Sequence, residues 1–142
     1  EKEFEDLCTW VREMEFDRLG VFSFSPEEGT PAATFADQVP DGIKEERRNA
    51  LMVLQQGISL KKNREWIGRE LQVLVEGVSE EHDWVLQGRH YGQAPEVDGL
   101  VYLSFEDEDD GMAGDLPQPG EFVRVVVTEA TAYDLVGRVI AV

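Results

Sequence analysis

Apolar side chains recur at steps of three and four residues in the first part of the chain. The repeating positions are Phe4, Leu7, Cys8, Val11 and Met14. This period predicts an amphipathic helix over residues 2–15.

A short apolar, aromatic-rich run over residues 19–24 then predicts a buried strand. Residues 25–31 (Ser-Pro-Glu-Glu-Gly-Thr-Pro) predict a turn, and a second, mostly polar helix is predicted over residues 40–63. One strand cannot make a sheet, so residues 1–64 are interpreted as the end of a partial α/β barrel.

From Trp66 onward the apolar positions alternate with polar ones, which is the period of β-strands. Five strands are predicted, over residues 71–76, 84–89, 99–105, 122–128 and 135–142. Glycines lie between or at the ends of these runs, as they do at bends of small barrels. The predicted fold class is therefore α+β: two helices and one strand, followed by a five-stranded antiparallel barrel similar to an OB-fold. The domain boundary is predicted between residues 64 and 65.

Net charge is the compositional property that says most about the binding partners of this chain. The chain of 142 residues has a formal net charge of −17. Residues 67–142 contain four arginines, no lysine and sixteen aspartates and glutamates, a formal charge of −12. Such a surface repels a phosphate backbone, since nucleic-acid affinity depends on Lys and Arg displacing counterions. It attracts a basic partner; the simpler alternative is that the acidity only confers solubility.

The sequence contains few residues that could bind a metal or take part in redox chemistry. Cys8 is the only cysteine, so neither an intramolecular disulfide nor a cysteine-ligated cluster can form, and we expect Cys8 to be a small hydrophobic residue of the first helix. His82 and His90 lack partners at ligand spacing and are interpreted as structural or surface residues. The acidic run over residues 106–110 could bind a hard cation such as Ca²⁺. A solvated loop is favoured, because the run lacks the spaced oxygen ligands of a calcium loop.

The sequence shows the pattern of neither a membrane span nor a signal peptide. No run of about 18 apolar residues is present, and the first residues lack the basic and apolar regions of a signal peptide. The use of a single cysteine fits cytoplasmic residence, so we expect a cytoplasmic protein. The first residue is not Met and falls in a helical pattern, which suggests a piece of a longer protein.

Several segments, taken in order, resemble one enzyme family. Residues 17–33 (Asp-Arg-Leu-Gly-Val-Phe-Ser-Phe-Ser-Pro-Glu-Glu-Gly-Thr-Pro-Ala-Ala) resemble the end of the radical S-adenosylmethionine domain of RimO-type methylthiotransferases. Residues 38–40, 44–48 and 54–56 resemble the helix that follows. Residues 93–99 (Gln-Ala-Pro-Glu-Val-Asp-Gly) and 133–137 (Tyr-Asp-Leu-Val-Gly) resemble signatures of the family's C-terminal TRAM domain.

The resemblance implies a function that composition alone does not. Members of this family add a methylthio group to the β-carbon of an aspartate in small-subunit ribosomal protein S-twelve. They use S-adenosylmethionine and two four-iron four-sulfur clusters, whose cysteines lie in regions that have no counterpart in this chain. The resemblance thus implies no catalytic residue, metal ligand or cofactor in this portion, and a portion that is inactive alone.

The resemblance and the charge together suggest candidate site residues. The loop Ser25, Pro26, Glu27, Glu28, Gly29 and Thr30 follows a predicted barrel strand, where active sites of such folds are built, so we expect it at the active-site mouth. A turn that only starts the next helix is the alternative. The expected docking residues for the basic protein are Glu96, Asp98, Glu106, Asp107, Glu108, Asp109 and Asp110.

Two other functions remain open from the sequence. The tRNA methylthiotransferases of the MiaB type share both domains, but their corresponding loop usually carries Arg and their TRAM domain serves RNA. The acidic barrel is poorly suited to RNA, and it carries no basic residues interleaved with aromatics. A non-catalytic OB-like interaction module is the second alternative, and it leaves the first 64 residues without a purpose.

Overall fold

A computed structural model of the chain describes residues 1–82, 85–105 and 116–141. Two compact units are present, residues 1–58 and residues 59–142. The predicted boundary between residues 64 and 65 concerns the division between parent domains and stays a prediction. None of the helices among the described residues combines the length and apolar character needed to cross a bilayer.

The first unit is built from two helices and the segment that joins them. Helix α1 spans Lys2–Met14, a short 3-10 helix spans Pro31–Thr34, and α2 begins at Asp41 and continues to Arg64 beyond the unit. Glu15 ends α1 in a left-handed conformation, with its N–H donating to the carbonyl of Val11. The two helices of the predicted fold class are confirmed, each within a residue or two of its expected bounds.

The predicted strand over residues 19–24 is wrong, because these residues form no ladder. Residues 1–58 are all described and contain no other strand with which to pair. Side chains of α2 hold the segment instead. The Ser23 hydroxyl donates to Glu45 at 3.0 Å, and the Lys44 ammonium donates to the carbonyl of Phe24 at 3.2 Å. The predicted burial of this apolar run is also wrong, because Phe22 is 93% exposed.

The second unit contains a closed five-stranded barrel, which confirms the predicted α+β class. Its strands are β1 (Glu70–Val78), β2 (Leu86–Arg89), β3 (Val101–Ser104), β4 (Phe122–Ala130) and β5 (Leu135–Ala141). They close in the order β1-β2-β3-β5-β4, and β4 pairs with β1. Four pairings are antiparallel, whereas β3 and β5 pair in parallel. The expectation of an all-antiparallel barrel is therefore wrong at this pairing, since alternation predicts strands but not their partners.

Alternate side chains of all five strands fill the barrel interior. The buried apolar residues are Leu71, Val73, Val75, Leu86, Val101, Leu103, Val123, Val125, Val127 and Leu135. Burying each of these side chains contributes about 1.5–3 kcal/mol, so the interior is the main source of stability. A barrel of this size is filled by its own side chains. Partners therefore have to bind on its outer face or on its loops.

Candidate functional site

The predicted active-site loop forms a tight turn on the first unit. The Thr30 N–H and hydroxyl both donate to the carbonyl of Glu27, at 3.2 and 2.8 Å. Gly29 has a φ of +82°, which glycine adopts without strain at the third position of a type II turn. Thr30 then precedes the 3-10 helix, with Pro31 at its first position. Ser25, Pro26, Glu27 and Glu28 are exposed and available for contact, but the turn geometry equally suits a simple connection.

The predicted docking residues of loop 90–99 lie on a loop with a buried polar base. Glu96 is exposed and has a φ of +61°, and the Asp98 carboxylate accepts the N–H of Ala94 at 2.8 Å. Asp98 therefore shapes the loop in addition to carrying charge. The other docking candidates, Glu106 to Asp110, lie outside the described residues.

Gln93 and His90 form the buried base of the same loop. Gln93 is 3% exposed, and its amide oxygen accepts the N–H of His90 at 3.0 Å. The His90 Nδ1 accepts the N–H of Gly92 at 3.1 Å, and its ring lies 5.9 Å from that of Trp66. These contacts are those of a structural histidine, which is one of the two interpretations that the sequence left open for His90. No metal-ligand group of three His, Cys, Asp or Glu side chains occurs within residues 1–82, 85–105 and 116–141.

The two segments that resemble TRAM signatures meet at the entry to β3 and β5. The N–H of Leu100 donates to Asp134 Oδ1 at 2.8 Å, and the N–H of Leu135 donates to the carbonyl of Leu100 at 2.9 Å. Gly99 lies so close that a Cβ atom would be 1.9 Å from the carbonyl oxygen of Tyr133. The sequence identified both segments, but their contact required the structure.

A partly exposed tyrosine with two nearby carboxylates lies on the outer surface of β2, β3 and β5. Strand register places Gln87, Tyr102 and Val136 side by side, and the alternate residues of β3 point into the core. Glu81, from the segment before β2, and Asp134, just before β5, bring carboxylates to the same face, where both raise the pKa of Tyr102. We call the surface formed by Gln87, Tyr102, Val136, Glu81 and Asp134 the tyrosine face.

The charged groups that act on the Tyr102 hydroxyl are negative. Burial, and then the carboxylates of Asp134 and Glu81, raise the pKa of Tyr102 above its ordinary value. The ring of His82 lies 5.4 Å from that of Tyr102 in an edge-on arrangement. Sequence reasoning missed this cluster. The alternation in Val101-Tyr102-Leu103-Ser104 was a usable signal, since it directs Tyr102 outward.

Ion pairs on the described strands involve other carboxylates. Arg89 Nε lies 2.7 Å from Glu76 Oε1, and Arg124 lies 3.8 Å from Glu70. Arg69 lies over the ring of Trp66 at 5.7 Å. The described barrel therefore presents acidic side chains for which its few arginines do not compensate.

Comparison with known proteins identifies the barrel and relates the remainder of the chain to one group of enzymes. The sequence model of the TRAM domain matches residues 67–140. A ribosomal protein uS12 methylthiotransferase RimO of Anaeromyxobacter sp. (strain K) is 54% identical over 141 residues, which is 99% of this chain and 28% of that protein. Proteins of the same name from Sorangium cellulosum and Aquifex aeolicus are 50% and 47% identical over 97% of the chain, which covers 26% and 30% of their lengths.

The chain thus spans less than a third of the length of these relatives and matches their C-terminal part. The match supports the resemblance in both of its halves, because it extends well beyond the TRAM barrel. The chain belongs to the TRAM domain family and is a relative of the C-terminal region of the RimO methylthiotransferases.

Proposed function

We propose that this chain is the C-terminal part of a radical S-adenosylmethionine enzyme that methylthiolates the β-carbon of an aspartate in ribosomal protein uS12. Sequence identity of 44–54% to proteins named for that reaction, over nearly the whole chain, supports the assignment. The parent enzyme uses S-adenosylmethionine and two four-iron four-sulfur clusters in the cytoplasm. This chain, with one cysteine, holds neither cluster and is inactive alone.

The acidic barrel docks the basic substrate protein. The observation that carries this proposal is the charge of residues 67–142, with sixteen acidic residues against four arginines. Long-range attraction of this kind raises the rate of encounter with a basic protein and discourages polyanions such as tRNA. Glu96, Asp98 and the run from Glu106 to Asp110 contribute to this field.

A titration of the chain with recombinant uS12 and with tRNA tests the docking proposal. We expect uS12 to bind at about 0.05 M salt and to bind more weakly at about 0.5 M, where the screening length is only a few ångströms. Binding of tRNA should be weak at both salt concentrations. Tight tRNA binding without a response to uS12 would contradict the proposal and favour a tRNA-modifying parent. No binding to either would leave the barrel's acidity as a solubility feature.

The turn Ser25–Thr30 lines the active-site mouth of the parent enzyme, where Glu27 and Glu28 receive the basic substrate. Their exposure and the fixed turn geometry support this role. Replacing both with Ala in the full-length enzyme should lower kcat/KM for uS12 by about ten-fold, equivalent to about 1.4 kcal/mol of transition-state stabilisation. The charge-matched control is Glu5→Ala with Glu13→Ala on α1, which should leave kcat/KM unchanged. Equal kinetics for the two double variants would leave the turn with only a structural role.

A further inference from the structure

We propose that the tyrosine face is a binding subsite for an arginine side chain of the basic protein partner. This inference rests on the proposed docking function and adds a location and a ligand group to it. A general acidic field attracts any cation. The tyrosine face differs from that field because an aromatic ring and two oriented carboxylates share one small area of the barrel.

The backbone fixes the position of both carboxylates. The Ser79 hydroxyl accepts the N–H groups of Glu81 and His82, each at 3.2 Å, which holds the segment that carries Glu81. Asp134 is held by the N–H of Leu100, and its own N–H donates to the Thr131 hydroxyl at 2.9 Å. Only one oxygen of Asp134 is used in the bond to Leu100, so the other can accept from a ligand. Such preorganisation reduces the entropy lost on binding.

The tyrosine ring is positioned by its neighbours. Gln87 on β2 and Val136 on β5 flank Tyr102 in the strand register, and the His82 ring packs edge-on against it. The buried residues Val101 and Leu103 on either side anchor β3 in the core. A ring held in this way offers a π surface to a cation with little further ordering.

Charge complementarity identifies the ligand as a cation. Asp134 and Glu81 are the charged groups that act on the Tyr102 hydroxyl, and both are negative. The ion pairs described on the strands use Glu76 and Glu70 and do not use Asp134 or Glu81. A cation placed here gains two carboxylates and an aromatic ring at once.

The geometry favours arginine over lysine. A guanidinium is planar, donates in a fork that matches carboxylates, and stacks on aromatic rings. It is also more weakly hydrated than an ammonium, so its transfer to a half-buried surface costs less. Lysine offers only a compact, strongly hydrated charge.

Nuclear magnetic resonance titrations of this chain test the subsite directly. The probes are a short capped arginine–glycine peptide and a lysine–glycine peptide of equal length and charge. We expect the arginine peptide to change the chemical shifts of Tyr102, Glu81 and Asp134. It should also bind more tightly than the lysine peptide. Glu81→Gln with Asp134→Asn should weaken binding of the arginine peptide by at least about five-fold, because charge-assisted hydrogen bonds are lost. The Asn side chain at position 134 can still accept the N–H of Leu100, which preserves the fold.

Two controls separate the subsite from net charge and from folding. Glu70→Gln with Glu121→Gln removes the same charge from the β1–β4 side, and affinity for the arginine peptide should change by less than about two-fold. Tyr102→Phe keeps the ring and should retain most of the affinity, whereas Tyr102→Leu should lose it. Equal weakening by the two charge-neutralising double variants would overturn the subsite, as would perturbations centred elsewhere on the barrel.

The same variants distinguish failure of the subsite from failure of the proposed function. If uS12 binds without perturbing the tyrosine face, the docking function stands and the subsite is overturned. If the arginine peptide binds the tyrosine face and uS12 does not bind the chain, the subsite stands and the proposed substrate is wrong.

Discussion

Gly99 shows how one residue fixes the junction between the two TRAM signature segments. A Cβ atom at this position would lie 1.9 Å from the carbonyl oxygen of Tyr133 and 2.8 Å from Asp134 Oδ1. Gly99→Ala should therefore force the backbone apart and weaken the bonds between Leu100, Asp134 and Leu135. We expect the free energy of unfolding of the barrel to fall by about 2–4 kcal/mol. Urea denaturation of the variant measures this change.

Gly57→Ala is the matched control for a glycine in ordinary surroundings. Gly57 lies inside α2, and an added Cβ would meet nothing within 4 Å. Alanine should stabilise the helix by up to about 1 kcal/mol, because glycine loses more backbone entropy on folding. Destabilisation by both alanine substitutions would contradict the argument from close approach.

Tyr102 gives the barrel a dependence on alkaline pH. Its folded-state pKa is raised by burial and by Asp134 and Glu81, so the folded state resists ionisation of the phenol. Stability from this group is fully present below the ordinary tyrosine pKa of 10.0 and is lost as pH rises through the folded-state pKa of Tyr102. Ultraviolet titration should show Tyr102 ionising after an ordinary tyrosine. Tyr102→Phe should remove that late step and reduce the loss of stability at high pH.

At the scale of elements, the turn before β5 depends on one hydroxyl. The Thr131 hydroxyl accepts the N–H groups of Tyr133 and Asp134, at 3.2 and 2.9 Å. Thr131→Ala should lower the free energy of unfolding by about 1 kcal/mol, the net value of such hydrogen bonds. Thr131→Ser retains the hydroxyl and should recover most of the loss. Equal stabilities for the Ala and Ser variants in urea would assign the hydroxyl no role.

The extended segment 19–24 should exchange its amide hydrogens far faster than the strands of the barrel. Its residues form no ladder, and its contacts to α2 use side chains. Amides of β4 pair on both sides, with β1 and with β5. Hydrogen exchange followed by mass spectrometry on a proven monomer measures the difference. Strong protection of residues 19–24 would contradict the expectation.

Elements were predictable from the sequence where the local pattern determines them. The three- and four-residue steps from Phe4 to Met14 locate α1, and alternation locates every strand of the barrel. Residues 19–24 are apolar and aromatic, but strand formation also needs a neighbour, which residues 1–58 do not provide. The parallel pairing of β3 with β5 likewise depends on the path of the chain between distant segments. The tyrosine face escaped prediction because Glu81, Tyr102 and Asp134 are distant in sequence, and the segments that carry them come together only when the barrel closes.

At the scale of the whole molecule, acidity acts as a summed field. A single exposed ion pair contributes only about 0–1 kcal/mol, so no one carboxylate should dominate the encounter with a basic protein. The field instead raises the rate at which partners meet, whereas a specific subsite governs how long they stay together. Substitutions in the acidic run Glu106 to Asp110 and in the tyrosine face should therefore affect different rate constants.

Stopped-flow kinetics of uS12 binding to this chain separates the two contributions. Replacing Glu106 to Asp110 together with Gln and Asn should lower the association rate constant several-fold at about 0.05 M salt, because electrostatic steering is strongest there. The dissociation rate constant should change little. At about 0.5 M salt the difference in association should nearly vanish, since screening removes the long-range attraction. Asp98→Asn should have a much smaller effect on association, because it removes one charge and can retain the acceptor for the Ala94 N–H. A fall confined to the dissociation step, or an effect unchanged by salt, would show that the acidic run makes short-range contacts and does not steer the partner.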